Sequence, residues 1–126
     1  MRSVRSLPLA VLAALALAAP AQAQDIAGCF VRGSDPQVAL QRPSPLGAVA
    51  FTVAGQDGKL CYGRPKANGR KVVGELVPFG APWRLGANEA TSLHLRFAAD
   101  IGGVKVEPGV YSLYAVPGET EWEFFL

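Results

Sequence analysis

The chain has 126 residues, half of them hydrophobic, with 12 basic and 10 acidic side chains, one histidine and two cysteines. That length suits one domain with one core. The small positive excess gives nucleic-acid binding little electrostatic support. One histidine and two cysteines that are expected to be bridged cannot build a usual zinc site, which takes three or four His, Cys or carboxylate ligands.

The N-terminus accounts for the charge excess. Arg2 and Arg5 precede an apolar run at residues 7–19, and Ala21-Gln22-Ala23 follows as an A-x-A cleavage site. This is the pattern of a secretory signal peptide at residues 1–23, and its apolar run is too short to span a bilayer. Cleavage after Ala23 would deliver a periplasmic or secreted chain with 10 bases and 10 acids and no transmembrane span. Ile26-Ala27-Gly28-Cys29 also resembles a lipoprotein-processing box that would acylate Cys29. Gln22, Gln24 and Asp25 separate it from the apolar run, which favours plain cleavage. In an oxidising compartment Cys29 and Cys61 are expected to form a disulfide.

Residues 24–47 read as irregular. Asp35-Pro36 is suited to cap and open a short helical turn, and Arg42-Pro43-Ser44-Pro45 reads as an extended linker. The β domain is expected over residues 48–126. Val49, Phe51 and Val53 alternate with Ala50, Thr52 and Ala54, and Asp57-Gly58 offers a hairpin turn into residues 59–63. Asn68-Gly69 is a second turn signal, followed by a predicted strand at residues 70–76. In residues 91–97, Leu93, Leu95 and Phe97 point one way and Ser92, His94 and Arg96 the other. Gly102-Gly103 separates this strand from residues 104–106, and Pro108-Gly109 turns into residues 110–116. That last stretch is apolar on both faces (Val110, Tyr111, Leu113, Tyr114, Val116), so it is expected to be central. Pro117-Gly118 leads into the final strand, residues 121–126. Its Trp122, Phe124 and Leu126 would make a poor bare edge, so either the chain continues past Leu126 or this strand pairs with a partner. Short strands with Gly, Pro and Asn turns predict an all-β fold, a β-sandwich or distorted barrel of about six to eight antiparallel strands.

The charges are uneven. Lys59, Arg64, Lys66, Arg70, Lys71 and Arg84 face a single acid, Glu75, across residues 59–84, and after Lys105 come Glu107, Glu119, Glu121 and Glu123 with no base. Either the two segments neutralise each other in the fold or the middle one presents an anion-binding face.

Several ordered motifs carry a resemblance. They are Ser44-Pro45-Leu46-Gly47, Tyr62-Gly63-Arg64-Pro65, Gly69-Arg70, Leu76-Val77-Pro78-Phe79-Gly80 and Trp83-Arg84. Gly86-Ala87-Asn88-Glu89-Ala90-Thr91, Gly109-Val110-Tyr111-Ser112-Leu113, and Pro117-Gly118 before Trp122 continue the series. Together these resemble the family catalogued as domain of unknown function 2911, found in exported bacterial proteins. The resemblance implies no particular activity. It implies a hydroxyl residue where Gly63 and Leu85 stand here, and a chain that continues further.

The candidate site is the stretch PFGAPWRLGANEAT at residues 78–91, which sets Trp83, Arg84, Asn88 and Glu89 among glycines and prolines. Glu89 is the one carboxylate in this loop. Paired with Arg84 it would stay ionised, which suits binding or loop structure better than proton transfer. Trp83 is suited either to floor a sugar or aromatic-ligand site or to plug the core. Arg64 and Arg70 flank residues 65–69 and offer two guanidinium forks for an anion. Ser92 and His94 lie roughly 7 Å apart along their strand, too loosely placed to infer a nucleophile and base, and His94 is expected to face solvent. Phosphate-loop, dinucleotide and Gly-x-Ser-x-Gly motifs are absent, and no cofactor is expected. These residues favour a non-catalytic module binding a small anionic or sugar-like ligand, or serving as a scaffold, through Arg64, Arg70, Trp83, Arg84, Asn88 and Glu89. The alternatives are a metal-independent hydrolase or lyase using Glu89, and a structural subunit that pairs through its C-terminal strand.

Overall fold

A computed structural model of the chain describes residues 25–33 and 35–126, so the predicted signal peptide lies outside the described residues. These residues are nearly all β, with several antiparallel sheets and no closed barrel among them. Nine strands follow one short helix: α1 Pro36–Ala39, β1 Leu46–Val53, β2 Gln56–Gly63, β3 Trp83–Arg84, β4 Ser92–Leu95, β5 Ala99–Ile101, β6 Val104–Val106, β7 Gly109–Ser112, β8 Tyr114–Pro117 and β9 Trp122–Phe125. They form a four-stranded sheet in the order β1-β2-β4-β7, a three-stranded sheet β3-β8-β9 and the hairpin β5-β6.

Period-two alternation gives the four-stranded sheet two different faces. Register places Val49 opposite Leu60, Leu60 opposite Leu93, and Leu93 opposite Tyr111. On this face Leu93, Leu95, Phe97 and Val106 are buried, with Phe51, Leu60, Tyr111 and Leu113 packed against them. Each such side chain removed from water contributes roughly 1.5–3 kcal/mol. On the opposite face Ala48 pairs with Cys61, and Cys61 with Ser92. There Leu46, Ala48 and Cys61 pack under Ile26, Cys29, Val31 and Ala39 from the N-terminal segment. A Cys29–Cys61 disulfide staples the segment to the sheet, with α-carbons 5.7 Å apart. Lys59 adds a second tie, its Nζ donating to the Ala27 carbonyl. The segment covers only one end of this face, so along β1 Leu46 and Ala48 are buried whereas Ala50 and Thr52, further along the same face, are exposed.

Local chemistry explains α1. The Asp35 carboxylate accepts from the Gln37 N–H at 2.7 Å, and Pro36 supplies the first-turn φ.

Three expected elements are corrected. The first hairpin turns at Ala54-Gly55, whose φ values of 49° and 77° suit a two-residue primed turn, and not at Asp57-Gly58. Asp57 instead lies in β2 and accepts from Thr52 Oγ1 at 2.8 Å. A Cβ at Gly58 would meet the Phe51 ring at 2.3 Å, so its glycine makes room for an aromatic across the ladder. Residues 70–76 form no strand: Gly74, at φ 87°, reverses the chain and bonds Val77, leaving one isolated bridge from Val73 to Val77. Residues 110–116 are two strands in different sheets. The chain leaves β7 at Ser112 and enters β8 at Tyr114, so β7 is an edge with Val110 64% exposed, and only β8 is central, between β3 and β9. Apolar residues occur on both faces there because the chain changes sheets, not because both faces are buried.

Candidate functional site

The loop at residues 78–91 bridges the two larger sheets. The Gly80 N–H donates to the Pro117 carbonyl at 2.9 Å, β3 pairs with β8, and the Leu85 N–H reaches the Leu113 carbonyl. Beyond Leu85 the chain turns sharply through Gly86 (φ 83°) and Asn88 (φ 65°). The turn closes on itself, because the Thr91 N–H and Oγ1 both donate to the Leu85 carbonyl, at 2.8 and 3.0 Å. It is also fastened to β2 by the Ala87 N–H on the Gly63 carbonyl. The Asn88 side-chain amide donates to the Ser44 carbonyl at 3.3 Å. Asparagine suits the left-handed conformation that this position demands.

This turn brings Glu89 to the N-terminal segment, where its partners are Arg32 and Arg42 and not Arg84. Its carboxylate accepts from Arg42 Nη1 at 3.2 and 3.0 Å and from the Arg32 backbone N–H at 2.9 Å. The expected Arg84–Glu89 pair is therefore corrected to Arg42–Glu89. Burial pushes the Glu89 carboxyl upward. The Arg32 and Glu89 backbone N–H groups and the Arg42 guanidinium outweigh it and hold the pKa below the ordinary carboxylate value. Arg84 is left with its guanidinium carbon 6.0 Å from the Trp83 ring centroid and no ion-pair partner among the described residues.

Arg32, Arg42, Arg84, Asn88 and Glu89 line an open pocket of about 470 Å³. The other sequence-derived candidates lie elsewhere. Arg70 folds onto its own loop, donating to the Ala67 and Lys66 carbonyls. Arg64 donates from its backbone to Pro45 and reaches the Leu46 carbonyl at 3.5 Å. Trp83 does not line the pocket.

A second concavity of about 750 Å³ lies on the uncovered end of the four-stranded sheet, among Lys59, His94, Arg96, Asp25 and Asp57. Its fixed charges balance at two against two. Lys59 is already turned onto Ala27 and stands 3.9 Å from Asp25. His94 faces this open groove, as expected, but is partly covered. Its Nε2 is hydrogen-bonded to Ser92 Oγ at 2.9 Å and lies 3.5 Å from Cys61 Sγ. Burial, then the neighbouring Lys59 charge, lowers its pKa. Ser92 is buried and absent from the groove lining, and no carboxylate among the described residues bonds the imidazole. The arrangement therefore lacks both an accessible nucleophile and the orienting acid of a triad.

A family model described as "Protein of unknown function (DUF2911)" matches residues 44–126. The chain belongs to the DUF2911 family. No curated protein and no solved structure matches it. Within this DUF2911 chain, Arg84, Asn88 and Glu89 fall inside the matched residues, and Arg32 and Arg42 precede them. The close contact between β2 and the loop explains Gly63, where the family resemblance implies a hydroxyl residue. A Cβ there would meet the Ala87 carbonyl oxygen at 2.1 Å. Among the described residues no group of three or more His, Cys, Asp or Glu side chains could hold a metal ion.

Arg32 and Arg42 are the pocket residues that sequence reasoning missed. Nothing in their spacing marks them, because they reach Glu89 across 57 and 47 positions of chain. The one available signal was Cys29, whose disulfide carries Arg32 to the sheet.

Proposed function

We propose that this DUF2911 protein is an exported, non-catalytic module that binds a small anionic ligand in the Arg32–Arg42–Arg84–Asn88–Glu89 pocket. The observation that carries this reading is the charge state of the pocket wall. Its only carboxylate is already engaged by Arg42, whereas the guanidinium groups of Arg32 and Arg84 have no ion-pair partner among the described residues. Guanidinium forks in that state are suited to grip carboxylate or phosphate oxygens. The buried Cys29–Cys61 bridge fits an extracellular or periplasmic setting.

Catalysis by Glu89 is the weaker alternative. A general acid needs a raised pKa, and Glu89 is moved the other way by two backbone N–H groups and a guanidinium. The test is a titration at low ionic strength with inorganic phosphate, acetate and a neutral sugar, followed by amide chemical shifts. Shifts at residues 84–89 with an anion, reduced at least tenfold in affinity by Arg84→Ala, are expected. Shifts with the sugar alone, or with none of the three, would end the reading.

A second reading is favoured by β9. It pairs on one side only, with β8, and all four of its residues are exposed. Such an edge accepts a further strand through its free backbone groups.

A further inference from the structure

We infer that the pocket selects a dianionic phosphate monoester over a carboxylate, a neutral sugar or free phosphate. This inference rests on the anion-binding reading above and names the ligand class of that same site.

Charge comes first. The ionisable side chains on the wall are Arg32, Arg42, Arg84 and Glu89, three positive and one negative. Arg42 and Glu89 neutralise each other at 3.0 Å. Among the described residues the two remaining positive charges, on Arg32 and Arg84, have no ion-pair partner, and together they match a ligand of charge −2. A monocarboxylate would leave one of them unbalanced.

Direction comes second. Arg32 belongs to the disulfide-tethered N-terminal segment and Arg84 to β3, so the two arginines of the wall come from separate elements. A planar carboxylate presents its two oxygens along one edge and satisfies one fork. A tetrahedral phosphate group has three terminal oxygens on different edges and can accept from two forks at once.

Size and the remaining wall decide between ester and free phosphate. About 470 Å³ is in the range of pockets that hold whole small molecules, much larger than one phosphate group needs. Past the arginines, the wall presents Asn88 and Glu89. The Asn88 amide nitrogen is occupied by Ser44, which leaves its oxygen as an acceptor beside the Glu89 carboxylate. Acceptors there suit hydroxyl donors and offer nothing to a second anionic group. The non-phosphate part of the ligand is therefore polyol-like.

The test titrates the disulfide-intact protein with glycerol phosphate, inorganic phosphate, sulfate, acetate and glycerol, at about pH 5 and about pH 8. A phosphate monoester gains its second charge near pH 6, whereas sulfate is a dianion throughout. Arginine does not titrate in this range, and Glu89 is ionised across it. Glycerol phosphate should bind about tenfold more tightly at the higher pH, with sulfate nearly unchanged. Acetate should bind at least tenfold more weakly than glycerol phosphate. Arg32→Ala and Arg84→Ala should each cost about tenfold while thermal unfolding stays cooperative. Acetate binding as tightly as glycerol phosphate would overturn the dianion assignment while leaving the anion reading intact. Inorganic phosphate binding as tightly as glycerol phosphate would overturn the ester. Silence from every anion would remove the anion reading itself.

Discussion

Glu89 joins three parts of the chain through one carboxylate. It receives the Arg42 guanidinium from beyond α1 and the Arg32 N–H from the stapled segment, while its own backbone belongs to the turn behind β4. Charge-assisted hydrogen bonds of this kind contribute more than neutral ones, but the pair is partly open to solvent, which screens it. We therefore expect Glu89→Gln to destabilise the fold by about 1 kcal/mol at neutral pH. The pH dependence has a definite sign. The folded pKa is depressed, so the contribution is complete above the unfolded value, about 4.3, and is lost as pH falls through the folded value. Urea unfolding of both chains from pH 7 down to about pH 3 should show the difference shrinking. A difference that stayed constant with pH would mean that the carboxylate's charge is not its source.

At the level of elements, the Cys29–Cys61 bridge is the link between fold and pocket. The segment it anchors places Ile26, Cys29 and Val31 over Leu46, Ala48 and Cys61 and delivers Arg32 to Glu89. A separation of 32 residues gives the closed loop about 3–4 kcal/mol of stabilisation on the chain-entropy model. The double substitution Cys29→Ser, Cys61→Ser should lower stability by about that amount in denaturant unfolding. Anion affinity should fall with it at temperatures where the sheets remain folded, because Arg32 is no longer held. Unchanged affinity in the bridge-free chain would detach the segment from the site. Two cysteines behind a predicted signal peptide made this bridge legible in the sequence, and period-two alternation did the same for β1 and β4. The hairpin turn was hidden because Ala54-Gly55 is a weak signal beside Asp57-Gly58, and only the Phe51 ring over Gly58 explains the register. The β7–β8 break at Leu113 was hidden for another reason. Alternation reports burial and cannot report which sheet does the burying. The pocket was half legible: Arg84, Asn88 and Glu89 sit in one short motif, whereas Arg32 and Arg42 are brought to it by tertiary structure.

Across the whole molecule, apolar surface is distributed unequally between the two larger sheets. The four-stranded sheet buries side chains on both faces, whereas Trp122, Phe124 and Phe125 of β9 remain exposed, Phe124 at 68%. Trp122 and Phe124 lie together on one face with ring centroids 6.3 Å apart. Glu121 and Glu123 make no ion pair among the described residues, so the acidic C-terminal stretch is not neutralised by the basic middle segment there. An edge with these properties attracts strands through its backbone and its rings, and repels an identical edge through its glutamates. Association between two copies along β9 should therefore be weak at low salt and strengthen as salt screens the carboxylates, from about 50 mM to about 500 mM. Sedimentation velocity at high protein concentration reads this directly. Phe124→Glu, which removes the exposed ring and adds a like charge, should weaken this association at every salt concentration. A partner strand carrying Lys or Arg would show the opposite trend, binding most tightly at low salt, because opposite charges across paired strands attract. A chain that stays monomeric throughout would remove self-pairing along β9.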